Sequence, residues 1–117
     1  MKSLSESGIS IDPAVEVAAE RLAKLTGAAT VALVGSRARG DHTAESDWDI
    51  FVVLPDDVEP GKFNSVTLWT PLSDLGIPLQ VIPVRRSVFE ARRADINSMS
   101  HDADRDGIVL HGSLAEI

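Results

Sequence analysis

The sequence predicts an α+β fold, a small sheet flanked by helices, and three observations carry that prediction. One segment near the N-terminus repeats its apolar residues at helical spacing, three short apolar runs stop at glycine or proline, and 117 residues give room for one core. An apolar fraction of 44% and a charged fraction of 25% suit a folded soluble chain. No apolar run approaches about 18 residues, and the opening MKSLSESGISIDP lacks the apolar centre of a signal peptide. A cytoplasmic protein with no membrane association is therefore expected.

Residues 1–10 are polar and serine-rich and read as a flexible tail, which leaves 11–117 as the folded domain. Asp12 suits an N-cap and Pro13 the first helical position. Val15, Ala18, Ala19, Leu22 and Leu25 then recur at helical spacing until Gly27, with Glu16, Glu20, Arg21 and Lys24 on the outer face. Thr30 to Val34 is a β-branched apolar run ending at a glycine, as a buried strand would. Residues 47–54 (DWDIFVVL) form a second strand, stopped by Pro55-Asp56-Asp57, and 55–65 read as loop. Pro71 cannot continue a helix but can open one, so Thr70 as cap and Pro71 in the first turn predict a short helix ending at Gly76. Residues 77–84 (IPLQVIPV) are a third strand whose prolines mark an edge or a strand end. Residues 87–105 are helical with a break near Asn97, and 107–110 are an apolar clip folding back onto the body.

The formal charge of −7 argues against extended nucleic-acid binding, which calls for a basic stripe. The chain has no cysteine, so disulfides, thiolate metal sites and thiol nucleophiles are excluded together. His42, His101 and His111 are too scattered for a zinc site. Arg85, Arg86, Arg92 and Arg93 are the one basic concentration: a solvated helix face, or in the sharper reading a docking patch for an acidic partner or an RNA end. Trp48 and Trp69 read as core or rim residues.

The segment with chemistry in it is Gly35-Ser36-Arg37-Ala38-Arg39-Gly40, followed after a polar loop by Ser46-Asp47-Trp48-Asp49-Ile50. A glycine closing a strand lets the backbone approach a ligand, and a serine opening the next turn offers its hydroxyl beside unpaired N–H groups. Alone, Gly35-Ser36 is equally an ordinary strand-to-helix turn. Asp47 and Asp49 are two apart in the expected strand, so both carboxylates would leave the same face while Trp48 faces the other way. Paired carboxylates suit a hard divalent cation, which takes its remaining oxygens from phosphates. Arg37 and Arg39 are either exposed charge or phosphate contacts.

The pattern GSRARG with SDWDI resembles the nucleotidyltransferase superfamily of DNA polymerase β-like fold, and within it the minimal nucleotidyltransferases, small domains often paired with a HEPN protein. The resemblance implies a small mixed sheet with the site at one edge. It implies that Gly35 and Ser36 bind the β- and γ-phosphates, and that the catalytic Asp47 and Asp49 hold Mg²⁺ or Mn²⁺. The implied reaction is attack of an acceptor hydroxyl on the α-phosphorus of a nucleoside triphosphate, expected to be ATP, with loss of pyrophosphate. A role as antitoxin to a HEPN partner is implied too. The family commonly supplies a third carboxylate from the next strand, and here the matching place is Gln80. An amide is a poor ligand for a hard cation and cannot act as a base. Asp74 and Glu90 flank that strand without replacing Gln80 in register. The sequence thus favours an active transferase, with a catalytically impaired nucleotide-binding module as the alternative, while the intact Gly35, Ser36, Asp47 and Asp49 argue against a structural subunit whose site is vestigial.

Overall fold

In the computed structural model, which describes residues 1–28 and 30–112, the chain begins with strand β1 (Lys2–Ser3) and helices α1 (Leu4–Ser7) and α2 (Pro13–Thr26). Strand β2 (Thr30–Val34), a single helical turn α3 (Ser36–Arg39) and strand β3 (Trp48–Leu54) follow. Then come helix α4 (Ser65–Trp69), strand β4 (Leu79–Arg85), helices α5 (Arg86–Arg92) and α6 (Met99–Asp106), and strand β5 (Ile108–Gly112). The strands form one mixed sheet in the order β1-β5-β2-β3-β4, so the fold is α+β as expected. β2 lies antiparallel to β3 and β5, whereas β3 and β4, like β1 and β5, are parallel.

The start of α2 follows from its first two residues. Asp12 Oδ1 accepts the Ala14 N–H at 2.9 Å, and Pro13 has no N–H to leave unpaired. At the other end Gly27 adopts φ +67° and its N–H reaches the Ala23 carbonyl at 2.9 Å, a left-handed cap that suits glycine. α2 and α4 bury Val15, Leu22 and Leu68 against Val31, Leu33, Ile50 and Val52 on one face of the sheet. On the opposite face Val34, Phe51 and Val53 meet Phe89 of α5 and Ala103 of α6, with the Phe51 and Phe89 rings tilted at 58° and 5.7 Å apart. β4 is an edge strand carrying Pro83, a residue that edges tolerate.

Four expectations need correction. Residues 1–10 are not simply a tail: Lys2–Ser3 adds to β5, the Lys2 N–H bonding Gly107 O at 3.0 Å, and Ser3 and Glu6 form a capping box that starts α1. The helix placed at 70–76 starts earlier, at Ser65, because Asn64 Oδ1 caps it by accepting from Val66 and Thr67; Thr70–Leu75 is a 3₁₀ continuation ending at Gly76. A further 3₁₀ turn, Pro60–Lys62, lies in the expected loop. The clip at 107–110 is a full strand between β1 and β2, whereas the helix at 87–105 parts into two near Asn97 as expected, with Ser98 capping the second part. Among the described residues no helix is long and apolar enough to cross a membrane.

Phe89 is fully buried and ties α5 to the sheet, whereas Ile96, between α5 and α6, is 75% exposed. Phe89→Ala should cost about 3–5 kcal/mol of unfolding free energy, and Ile96→Ala less than about 0.5 kcal/mol. Denaturant unfolding of the two variants beside the parent checks both values.

Candidate functional site

β2 and β3 pair with Val34 opposite Asp49, so the glycine that follows β2 arrives beside that carboxylate. Gly35 has φ +74°, and a Cβ built there would fall inside van der Waals contact with Asp49 Oδ2. Only glycine fits both the conformation and the space. Its carbonyl accepts the Ala38 and Arg39 N–H groups, each at 3.1 Å, which winds the turn α3. Ser36 opens that turn, its hydroxyl without a hydrogen bond among the described residues. The first N–H groups of such a turn lack partners within it.

The strand expected from residue 47 starts one residue later. Trp48 makes the first bond to the neighbouring strand's side, donating its N–H to Pro78 O at 2.8 Å, so Asp47 precedes the strand and is exposed while Asp49 lies within it, half-buried. The two carboxylates still act on each other. Burial raises the Asp49 carboxyl above its ordinary range, the charge of Asp47 raises it further, and Arg39 opposes both.

The two arginines of the turn have different fates. Arg37 stacks over the Trp48 ring at 4.1 Å and donates to the carbonyls of Ser46 (3.0 Å) and Ala44 (3.3 Å), which ties down the loop between the turn and β3. Arg39 donates only its Nε, to Asp41 Oδ2 at 3.2 Å; its remaining nitrogens make no hydrogen bond among the described residues. It lines a cleft of about 150 Å³ with Gly35 and Asp49, over Ile82 of β4 and facing Asp102 and Asp106 of α6. Arg105, by hydrogen bond, holds Asp106 below the usual carboxylate range; burial opposes this, and the charges of Arg105 and Arg39 add to it. A larger open hollow of about 500 Å³ between α2 and β5 shares no residue with this cleft.

Gln80 of β4 pairs in register with Asp49, and paired residues of parallel strands share a face. Its side chain is exposed and makes no hydrogen bond among the described residues. Neither flanking acid stands in for it. Asp74 is held by Arg21 at 2.7 Å and Glu90 by Arg86 at 3.1 Å. Among the described residues no three His, Asp or Glu side chains are grouped to hold a metal, so Asp47 and Asp49 would need oxygens from a ligand. The basic run is tied off: Arg86 pairs with Glu90, Arg92 with Asp95, Arg93 with Asp104, and Arg85 sits over the Phe63 ring at 4.1 Å. The α6 wall is what the sequence did not signal. Asp102 and Asp106 share a helix face at i, i+4, but only the packing of α6 across β2 shows what they face.

A family model described as nucleotidyltransferase domain matches residues 15–97. Among solved structures the chain is similar to a crystal structure of a toxin-antitoxin with AMP-PNP, at 19% identity over 86% of this chain and 76% of that one, with a TM-score of 0.61. It is also similar to a Sulfolobus solfataricus protein assigned as a nucleotidyltransferase, at 21% identity over 82% of this chain and 75% of that one, with a TM-score of 0.52. At these identities the likeness is one of fold. No curated protein matches the chain.

Gly35→Ala should cost about 1–2 kcal/mol in backbone strain alone and push the Asp49 carboxylate out of place. Thermal unfolding reads the first effect. The second is read by the ¹³C carboxyl resonance of Asp49, which should move in the variant even at temperatures where it is fully folded.

Proposed function

The chain belongs to the nucleotidyltransferase domain family, and from that premise we propose that it transfers a nucleotidyl group, AMP from Mg-ATP, to a hydroxyl of a partner protein. The observation that carries this reading is the contact of Gly35 with Asp49, which sets a glycine turn with unpaired N–H groups directly against a carboxylate pair. Gly35 and Ser36 seat the β- and γ-phosphates. Arg39, with free guanidinium nitrogens on the cleft, adds a charge-assisted contact to them. Asp47 and Asp49 repel each other without a cation, and their oxygens are the donors Mg²⁺ or Mn²⁺ prefers. When bound, the metal would neutralise phosphate charge and polarise the α-phosphorus. The acceptor oxygen forms a bond to that phosphorus, the α–β bridging P–O bond breaks, pyrophosphate leaves, and the acceptor proton passes to solvent or a base. The similarity to a toxin-antitoxin with AMP-PNP supports a toxin-like partner, proposed here to be of HEPN type, with this chain as its antitoxin.

One observation favours a second reading. Gln80 stands in register with Asp49 where a base would be useful, and it cannot take a proton. On that reading the chain binds Mg-nucleotide and acts by holding its partner, with little turnover.

Calorimetry should show ATP binding with Mg²⁺ and none in EDTA, since the triphosphate charge beside two aspartates is otherwise repulsive. Asp47→Asn with Asp49→Asn should abolish that binding. In metal-free protein near neutral pH the same variant should melt above the parent. The reason is one of sign: a carboxyl raised on folding makes stability fall as pH rises through its folded value, and asparagine removes that loss. Equal ATP affinity with and without metal would overturn the assignment.

Gln80→Asp separates the two readings. General-base assistance is worth roughly 10²–10⁴-fold, so a nearly inactive parent should gain turnover of labelled ATP on that scale, while an enzyme already served by another base should gain little or lose activity.

A further inference from the structure

Beside Gln80, on the side away from Asp49, α4 and β4 frame a second pocket of about 240 Å³ lined by Ser65, Val66, Trp69, Leu79, Gln80 and Val81. We infer that this pocket docks an apolar side chain of the acceptor protein and so sets its hydroxyl over Gln80, next to Asp49. The inference rests on the transfer reading above and names the surface that selects the acceptor.

Continuity with the site is the first support. Gln80 belongs both to the pocket and to the register that places it beside Asp49, so a chain seated here lies one strand from the carboxylates. β4 is the sheet edge, which a macromolecule can reach from the side, whereas α6 walls the cleft with Met99, Asp102 and Asp106. Exposure is the second support. Val66 is 70% and Trp69 42% exposed, and at i, i+3 they form one strip on α4. An exposed indole beside a valine is a cost in water that a partner removes.

The chemistry selects the occupant. No cationic residue lines the pocket, and its Leu79, Val81 and α4 walls belong to the face opposite Gly35 and Asp49, so it is not a phosphate seat. With a chain charge of −7 and no base in the pocket, a nucleic-acid strand finds no counter-charge. An apolar residue of a protein segment fits both facts.

The two tryptophans of the chain allow a direct test, because 5-fluorotryptophan labelling gives two ¹⁹F resonances and Trp69→Phe assigns them. The probes are Mg-ATP, an oligoadenylate RNA, and synthetic peptides that carry one serine, threonine or tyrosine and a leucine or phenylalanine stepped through the flanking positions. Peptides with the apolar residue at one fixed offset should shift the Trp69 resonance and leave Trp48, buried under Arg37, in place. Val66→Glu, on a largely exposed side chain, should weaken that peptide by about tenfold or more while leaving Mg-ATP affinity unchanged. A Trp69 shift from Mg-ATP alone, a shift from RNA but no peptide, or no shift from any peptide would each overturn the inference. Failure of the transfer reading looks different: it is loss of Mg-ATP binding by calorimetry, whatever Trp69 does.

Discussion

The backbone of Gly35 passes so close to the Asp49 carboxylate that no side chain fits between them, and the antiparallel register of β2 and β3 makes this approach unavoidable. A one-residue slip would turn Asp49 into the core and present a neighbouring apolar residue at the turn. The apolar faces on both sides of the sheet forbid that slip: Ile50 and Val52 are fully buried towards α2 and α4, Phe51 and Val53 towards α5. The core thus fixes the site through the period of two along β3.

The electrostatics around this contact are lopsided. Asp47, Asp49, Asp102 and Asp106 surround or approach the cleft, against Arg39 within it and Arg105 on the outer side of α6. On the proposed reading, an anionic ligand enters such a site together with a cation. The turn's other arginine is spent on architecture. By clasping Trp48 and two carbonyls of the intervening loop, Arg37 ties down the segment between the glycine turn and the carboxylates.

How much of this was legible in the sequence depends on the range of the interaction that fixes each part. α2 was readable to the residue at both ends because its caps, Asp12 and Gly27, are local. The strands through Val34 and Leu54 were readable because their apolar runs are short and bounded. The α+β class followed from the helical spacing and the bounded apolar runs, and the family from GSRARG and SDWDI. The start of α4 was missed because Asn64, its cap, lies in a stretch with no helical period, and Pro71 drew attention to the wrong turn. β1 and the strand character of residues 108–112 exist only as partners of other strands, which no local pattern announces. The different uses of Arg37 and Arg39 depend on where Trp48 and α6 sit in space, so two arginines alike in sequence could not be told apart.

Pro83 sits within β4, the open margin of the sheet. An uninterrupted edge strand offers a row of backbone donors on which any extended chain can polymerise, and a proline in that row leaves a gap. The interruption comes two residues after Val81, so ladder-like growth along the whole edge is blocked while the stretch nearest Gln80 stays unobstructed. Edge-to-edge growth of one copy on another along β4 is therefore interrupted at Pro83.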